Sequence, residues 1–407
     1  MQNPQPLSTI TKNIHLLIAC SQADPTSDDI EEIRSFFKNK ELSEDEWENL
    51  MSHAHRHSVF PFLYLSLKKY ASDAISQSKL QELKSFYLNI TGHNMHKTAE
   101  LIQIEKIAAE NGFTILPFKG PVLAQIAYGN VSLRQFSDLD ILVHRKHFRV
   151  LAKHMLKRGY KPLYPIDTFK GDKVMFDMNN DCPFYSTKRR QAVEIHWDFF
   201  RKLALPTERF KPWEDTRPVS IDNRTLTTLS NETHLLYHSL HGSKHVWERL
   251  GWIVDIDRFI RAIPGLDWSG LMKVASDVGA QRMFLLGVAL ARKYFKTPVP
   301  EDIRLLCENS KFTPFITYVE AELNSDNPTP EDSLIKLTKI ISLRDTLYHK
   351  VLTLLDFMFR PGINERRTII LPDCLFWLYW LIRPFGMGLR FFFCRLLRLC
   401  GPKSEKK

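Results

Sequence analysis

The chain has no run of roughly 18 uncharged apolar residues, the length a spanning helix needs. The best candidate, Cys374 to Ile382, is stopped at Arg383, so a membrane-crossing helix is not expected. Cysteine is scarce, with six residues at 20, 182, 307, 374, 394 and 400. They form no CxxC pair and no zinc-ligand spacing, so they read as reduced thiols. The segment from Met1 to Pro6 lacks the basic patch and apolar core of an export signal. The expected location is therefore the cytoplasm, with a peripheral position on the cytoplasmic membrane face open. No internal repeat is visible. With hydrophobic residues at 44%, charged residues at 25% and aromatics at 12% of 407 positions, disorder and low complexity are excluded over most of the length.

The formal charge is +10, from 56 Lys and Arg against 46 Asp and Glu. Between Arg383 and Lys407 lie seven cations and one acid. The body is only mildly basic, which removes most of the support for duplex nucleic-acid binding. Residues 369–407 are rich in Phe, Leu and Trp, and Arg383, Arg390, Arg395 and Arg398 share an arc of about 140° on a helical wheel. That pattern suits an in-plane helix on an anionic membrane surface, or packing on protein.

Helical periodicity runs from Leu7 to about Gly112, where Asn111-Gly112 is a stop signal. A strand follows at Phe113 to Phe118, then a helix from Gly120 to Tyr128, a strand at Leu139 to Val143, and a helix from about Lys146 to Arg158 closed by Gly159. Further strands are expected at Lys173 to Met178, Cys182 to Thr187 and Gln191 to Trp197. Beyond Leu226 helical spacing returns, with Pro298-Val299-Pro300 and Asn327-Pro328-Thr329-Pro330 as linkers. The expected class is α+β, a small mixed sheet over 113–225 flanked by helices over 1–112, 226–330 and 331–407.

Chemistry concentrates around the sheet. Alternation along a strand puts Asp138 and Asp140 on one face while Leu139 and Ile141 face the core. Paired carboxylates repel unless a cation joins them, and Mg2+ takes such oxygens together with substrate phosphates. Lys119-Gly120 stands where a strand hands over to a helix, a position suited to anions. Arg134 adds a second phosphate-directed charge. In Ala192-Val193-Glu194-Ile195-His196-Trp197, Glu194 and His196 share a face, so Glu194 supplies a third carboxylate. Asp198 is the alternative, and pairing of Glu194 with Arg189 or Arg190 is the structural one. His234, His238, His241 and His245 stack along one helix face and read as cleft-lining or packing residues rather than a zinc site.

These residues resemble the uncharacterised nucleotidyltransferase family within the polymerase-beta-like superfamily. The resemblance rests on Lys119-Gly120, on Arg134 with Ser137-Asp138-Leu139-Asp140, and on Glu194-Ile195-His196-Trp197. It extends to His238 through Trp247, Leu250 through Asp255, and Ala54 through Pro61, covering about 50–300. It implies transfer of a nucleoside monophosphate from an NTP, ATP among the candidates, to an acceptor. Asp138, Asp140 and Glu194 would then bind Mg2+ (or Mn2+) and act catalytically, and Lys119, Gly120, Arg134 and Ser137 would bind nucleotide. His196, His241 and Lys244 would line an acceptor cleft. The wider superfamily carries Gly-Ser before the aspartates, so here Lys119 would replace the serine. A sugar, peptide or protein hydroxyl is the implied acceptor. Two other readings stay open, a non-catalytic binding protein that kept the fold and a peripheral membrane protein acting through its tail.

Overall fold

The computed structural model describes residues 11–38, 42–164, 166, 172–200, 205–326, 329–330 and 334–386. Local signals set the helices where they are expected. Ser43 caps the helix Glu44–Arg56 by a reciprocal box with Glu46, and Ser76 caps the 34-residue helix Gln77–Glu110. Gly112 and Gly159, at φ +74° and +84°, release the chain from the helices before them.

Among the described residues seven strands follow one another: β1 (Ile115–Pro117), β2 (Asp138–Val143), β3 (Lys161–Pro162), β4 (Asp181–Ser186), β5 (Gln191–His196), β6 (Thr216–Ile221) and β7 (Arg224–Leu229). The first five form a mixed sheet in the order β1-β2-β5-β4-β3, in which only β2 and β5 are parallel. The protein is α+β, as expected.

Two expectations fail. Lys173 to Met178 lies in a helix, Asp172–Met178: the buried Val174, Met175 and Met178 are spaced for one helical face, while Val174, Phe176 and Met178 also fit the alternation of a strand. Leu226 lies in β7, so helix resumes only at Asn231. Asp222 and Asn223 both take positive φ, at 48° and 58°, and make the two-residue turn that joins β6 to β7.

The sheet separates two cores. Leu139, Ile141, Val143, Val193 and Ile195 pack against the helices Gln77–Glu110 and Arg145–Lys157. On the other face Leu116, Phe118 and Leu142 join a larger core, which the N-terminal helices share with Asn231–Lys244, Leu250–Ala262 and Gln281–Phe295. The polar residues at the β2 and β5 ends lie on this second face. Among the described cysteines, Cys20, Cys182, Cys307 and Cys374 are free thiols. No described helix is long and apolar enough to cross a membrane. Of the tail arginines, only Arg383 lies within the described residues, where it pairs with Glu365 at 2.9 Å.

Candidate active site

The parallel pairing of β2 with β5 places Asp140 opposite Glu194 and Leu142 opposite His196. Alternation then gathers Asp138, Asp140, Glu194 and His196 on one face. Gly120 opens the next helix at φ +52°, and a Cβ there would stand 3.3 Å from the Asp138 carbonyl oxygen. Both the backbone angle and the close approach call for glycine. Lys119, immediately before it, donates to Asp140 Oδ1 at 2.7 Å. His196 Nε2 lies 3.2 Å from the same oxygen and 3.4 Å from Glu194 Oε2, while its Nδ1 is 3.9 Å from Asp181 Oδ2. Among the described residues, Asp140, Glu194 and His196 form the group whose ligand-type atoms approach within 4.8 Å of one another.

The carboxylates are not equivalent. Burial, and then the Asp140 charge, raises Asp138 from 3.8 to about 6. Burial also acts upward on Asp140, but Lys119 and His196 outweigh it and hold that carboxyl below the usual range. Burial pulls His196 down while hydrogen bonds to Asp140 and Glu194 lift it to about 9, so it is an imidazolium at neutral pH. Lys119 and His196 are thus the cations that balance the cluster. Asp140 Oδ2 is buried and has no hydrogen-bond partner among the described residues. An orphaned carboxylate oxygen beside two further carboxylates is the donor set a hard divalent cation takes.

A cleft of about 980 Å³ opens over this face. Lys119, Gly120, Arg134, Ser137, Asp138, Glu194, His196, His241 and Lys244 all line it, and Asp140 is buried against Lys119 and His196. Asp198 does not join them. β5 ends at His196, the Trp197 and Asp198 amides both donate to the Asn180 carbonyl, and Asp198 faces a separate cavity of about 430 Å³ beside Arg145. Arg189 pairs with Glu100, not Glu194. His234 is bonded to Thr228, whereas burial drives His238 and His241 well below the usual histidine range and leaves them neutral in the cleft wall.

Arg134 is held in a way that strand periodicity does not reveal. Its Nε and Nη2 donate to the two oxygens of Asp255 at 2.9 and 3.0 Å, and Tyr128 donates to Asp255 at 2.6 Å. This tie fastens the approach to β2 onto the helix Leu250–Ala262. Lys97 is a site residue that the motifs do not single out. It is 7% exposed, lines the cleft, has no hydrogen-bond or ion-pair partner among the described residues, and feels the charge of Asp138. A signal for it exists in the helix: Asn94, Lys97, Leu101 and Ile104 lie on one buried face, where a lysine is out of place. Asn94 donates to the Val131 and Arg134 carbonyls and holds that loop over the cleft. Asp181 escapes sequence reasoning because its approach to His196 depends on β4 pairing with β5.

Three carboxylates on two adjacent parallel strands of a small mixed sheet, under a glycine-started helix, are an arrangement that a transferase of phosphorus-containing groups can use. Residues 43–296, more than half of the chain, match the model of the uncharacterised nucleotidyltransferase family. The protein belongs to that family and is a nucleotidyltransferase. No curated protein and no solved structure matches it.

Proposed function

We propose that the protein moves a nucleoside monophosphate from an NTP to a hydroxyl on a sugar, peptide or protein, with Asp138, Asp140 and Glu194 holding Mg2+ or Mn2+. The observation that carries this reading is the register of β2 on β5, which sets Asp140 against Glu194, with Asp140 Oδ2 buried and without a partner among the described residues. A divalent cation held there would supply charge neutralisation for the triphosphate and orientation of the α-phosphoryl group. The chain's own residues do the rest. Lys97, with no hydrogen-bond or ion-pair partner among the described residues, meets the triphosphate charge. The partly exposed Glu194 accepts the proton of the acceptor hydroxyl. The acceptor oxygen bonds to the α-phosphorus as the bond to the departing pyrophosphate breaks, and Lys97 and Lys119 balance the charge that leaves. His241 and Lys244 border the acceptor side. Arg134 acts by holding the loop through Asp255 and Ser137 lines the nucleotide end.

The test is calorimetric titration of each NTP into the full chain, with and without Mg2+, beside the Asp138→Asn/Glu194→Gln double variant. Binding that needs both the cation and the carboxylates is expected and would justify screening acceptors with α-labelled nucleotide. Binding indifferent to both, or none, would remove the reading.

A further inference from the structure

The helix Leu347–Phe359 is built inside out. A helix packed on a water-soluble body turns its apolar stripe inward. In the helix Leu347–Phe359 the buried residues are Thr353 and Asp356, and Asp356 is bonded to Arg360 at 3.2 Å. Leu347, Val351, Leu354, Leu355 and Met358 are exposed instead, Leu347 by 76%. They fall within an arc of about 100° on the helix surface. The segments that follow are mixed, with Tyr379 buried and Leu371, Phe376 and Ile382 packed on the core beside it. Glu365 pairs with Arg383 and Arg366 with Asp373 on the inside, while Ile370, Trp377 and Phe385 stand in solvent. Most of the large apolar side chains exposed among the described residues lie beyond residue 333. Single exposed hydrophobes are ordinary on a protein surface, but a whole face with its polar groups turned inward marks an interaction site.

We infer that residues 334–386 seat the protein in the interface of an anionic lipid bilayer, with the apolar face of Leu347–Phe359 as the inserted element. Charge selects this occupant over a second copy of the chain. Residues 387–407 carry six cations and one acid. That excess of like charge opposes self-association of the chain, whereas anionic headgroups neutralise it. In Leu347–Phe359 the exposed apolar face lies opposite the buried Thr353 and Asp356, the amphipathic pattern of an in-plane contact. This inference is independent of the catalytic reading.

The experiment is co-sedimentation of the full chain with vesicles of phosphatidylcholine alone and of phosphatidylcholine with phosphatidylglycerol in equal parts. Binding at least about tenfold tighter to the anionic vesicles, weakening as salt rises, is expected. The variant Leu347→Glu/Val351→Glu/Leu355→Glu should lose about tenfold or more of that binding with its melting temperature and NTP binding unchanged, since all three side chains are exposed. Should the glutamates disturb folding, the serine counterpart at the same positions provides the comparison. Failure of the wild-type chain to bind either vesicle would overturn the inference. So would unchanged binding by the folded variant, or a dimer of the free chain that the variant dissolves without any vesicle binding.

Discussion

Asp138 and Asp140, two residues apart on one strand, are expected to affect stability in opposite directions when each is replaced by asparagine. Asp138 has its carboxyl raised from 3.8 to about 6, by burial first and by Asp140 second. Two units of rise at about 1.4 kcal/mol each amount to roughly 3 kcal/mol against the charged form at neutral pH. Asn keeps the volume and removes the charge, so Asp138→Asn should gain about 1–3 kcal/mol. The folded state holds the Asp138 proton more tightly than the unfolded state does, so wild-type stability falls as pH rises from 3.8 to about 6, and the variant should lose that fall.

Asp140 is the reverse case. Its carboxyl is held low by Lys119 and His196, so its charge stabilises the fold above the ordinary carboxylate range and the benefit goes only as pH drops below it. Asp140→Asn strands a buried ammonium and a buried imidazolium, and should cost about 3 kcal/mol or more. His196, lifted to about 9, contributes stability that is complete below 6.5 and lost as pH rises toward 9. That alkaline loss should shrink in the Asp140 variant. The assay is urea unfolding in the presence of EDTA over pH 4 to 9. Shifts of the same sign for both variants at pH 7 would refute the charge balance derived for the site.

Lys97→Met should weaken NTP binding about tenfold while leaving the bare nucleoside unaffected, the size of one lost charged contact. Because burial holds the Lys97 ammonium below its usual range, the same variant should be more stable than wild type, and a loss of both properties would mark the residue as structural. Gly120→Ala should cost about 1–2 kcal/mol for the left-handed angle alone, checked by thermal melting. It should also weaken metal-dependent nucleotide binding, since its new methyl presses on the Asp138 carbonyl. Arg134→Met leaves Asp255 buried without its partner and should cost about 3–5 kcal/mol, and a double-mutant cycle with Asp255→Asn should show strong coupling. Independent effects in that cycle would dissolve the proposed clamp.

Much of the site is legible in the sequence because strand alternation is local. Asp138 with Asp140, and Glu194 with His196, follow from a period of two within single short segments. Alternation also misleads where a strand ends: Asp198 belongs to the face of His196 only if β5 continues, and it stops at His196. The helix at Asp172–Met178 reads as a strand because a short apolar run fits both periods. The β6–β7 hairpin hides behind an Asp222-Asn223 turn that lacks the usual glycine.

The sequence by itself determined the capped helices, the glycine at the head of the Gly120–Tyr128 helix, the pairing of carboxylates along β2 and the basic character of the tail. Each depends on residues a few positions apart, whose backbone period and side-chain chemistry are settled within the segment. Only the tertiary structure decided that β2 lies beside β5, so that Asp140 meets Glu194, that Lys119 closes on Asp140, and that Arg134 spends its charge on Asp255. It alone left Lys97 without a partner among the described residues and turned the apolar face of Leu347–Phe359 outward. Those outcomes rest on burial and on charges that meet across long stretches of chain, where local periodicity has no reach.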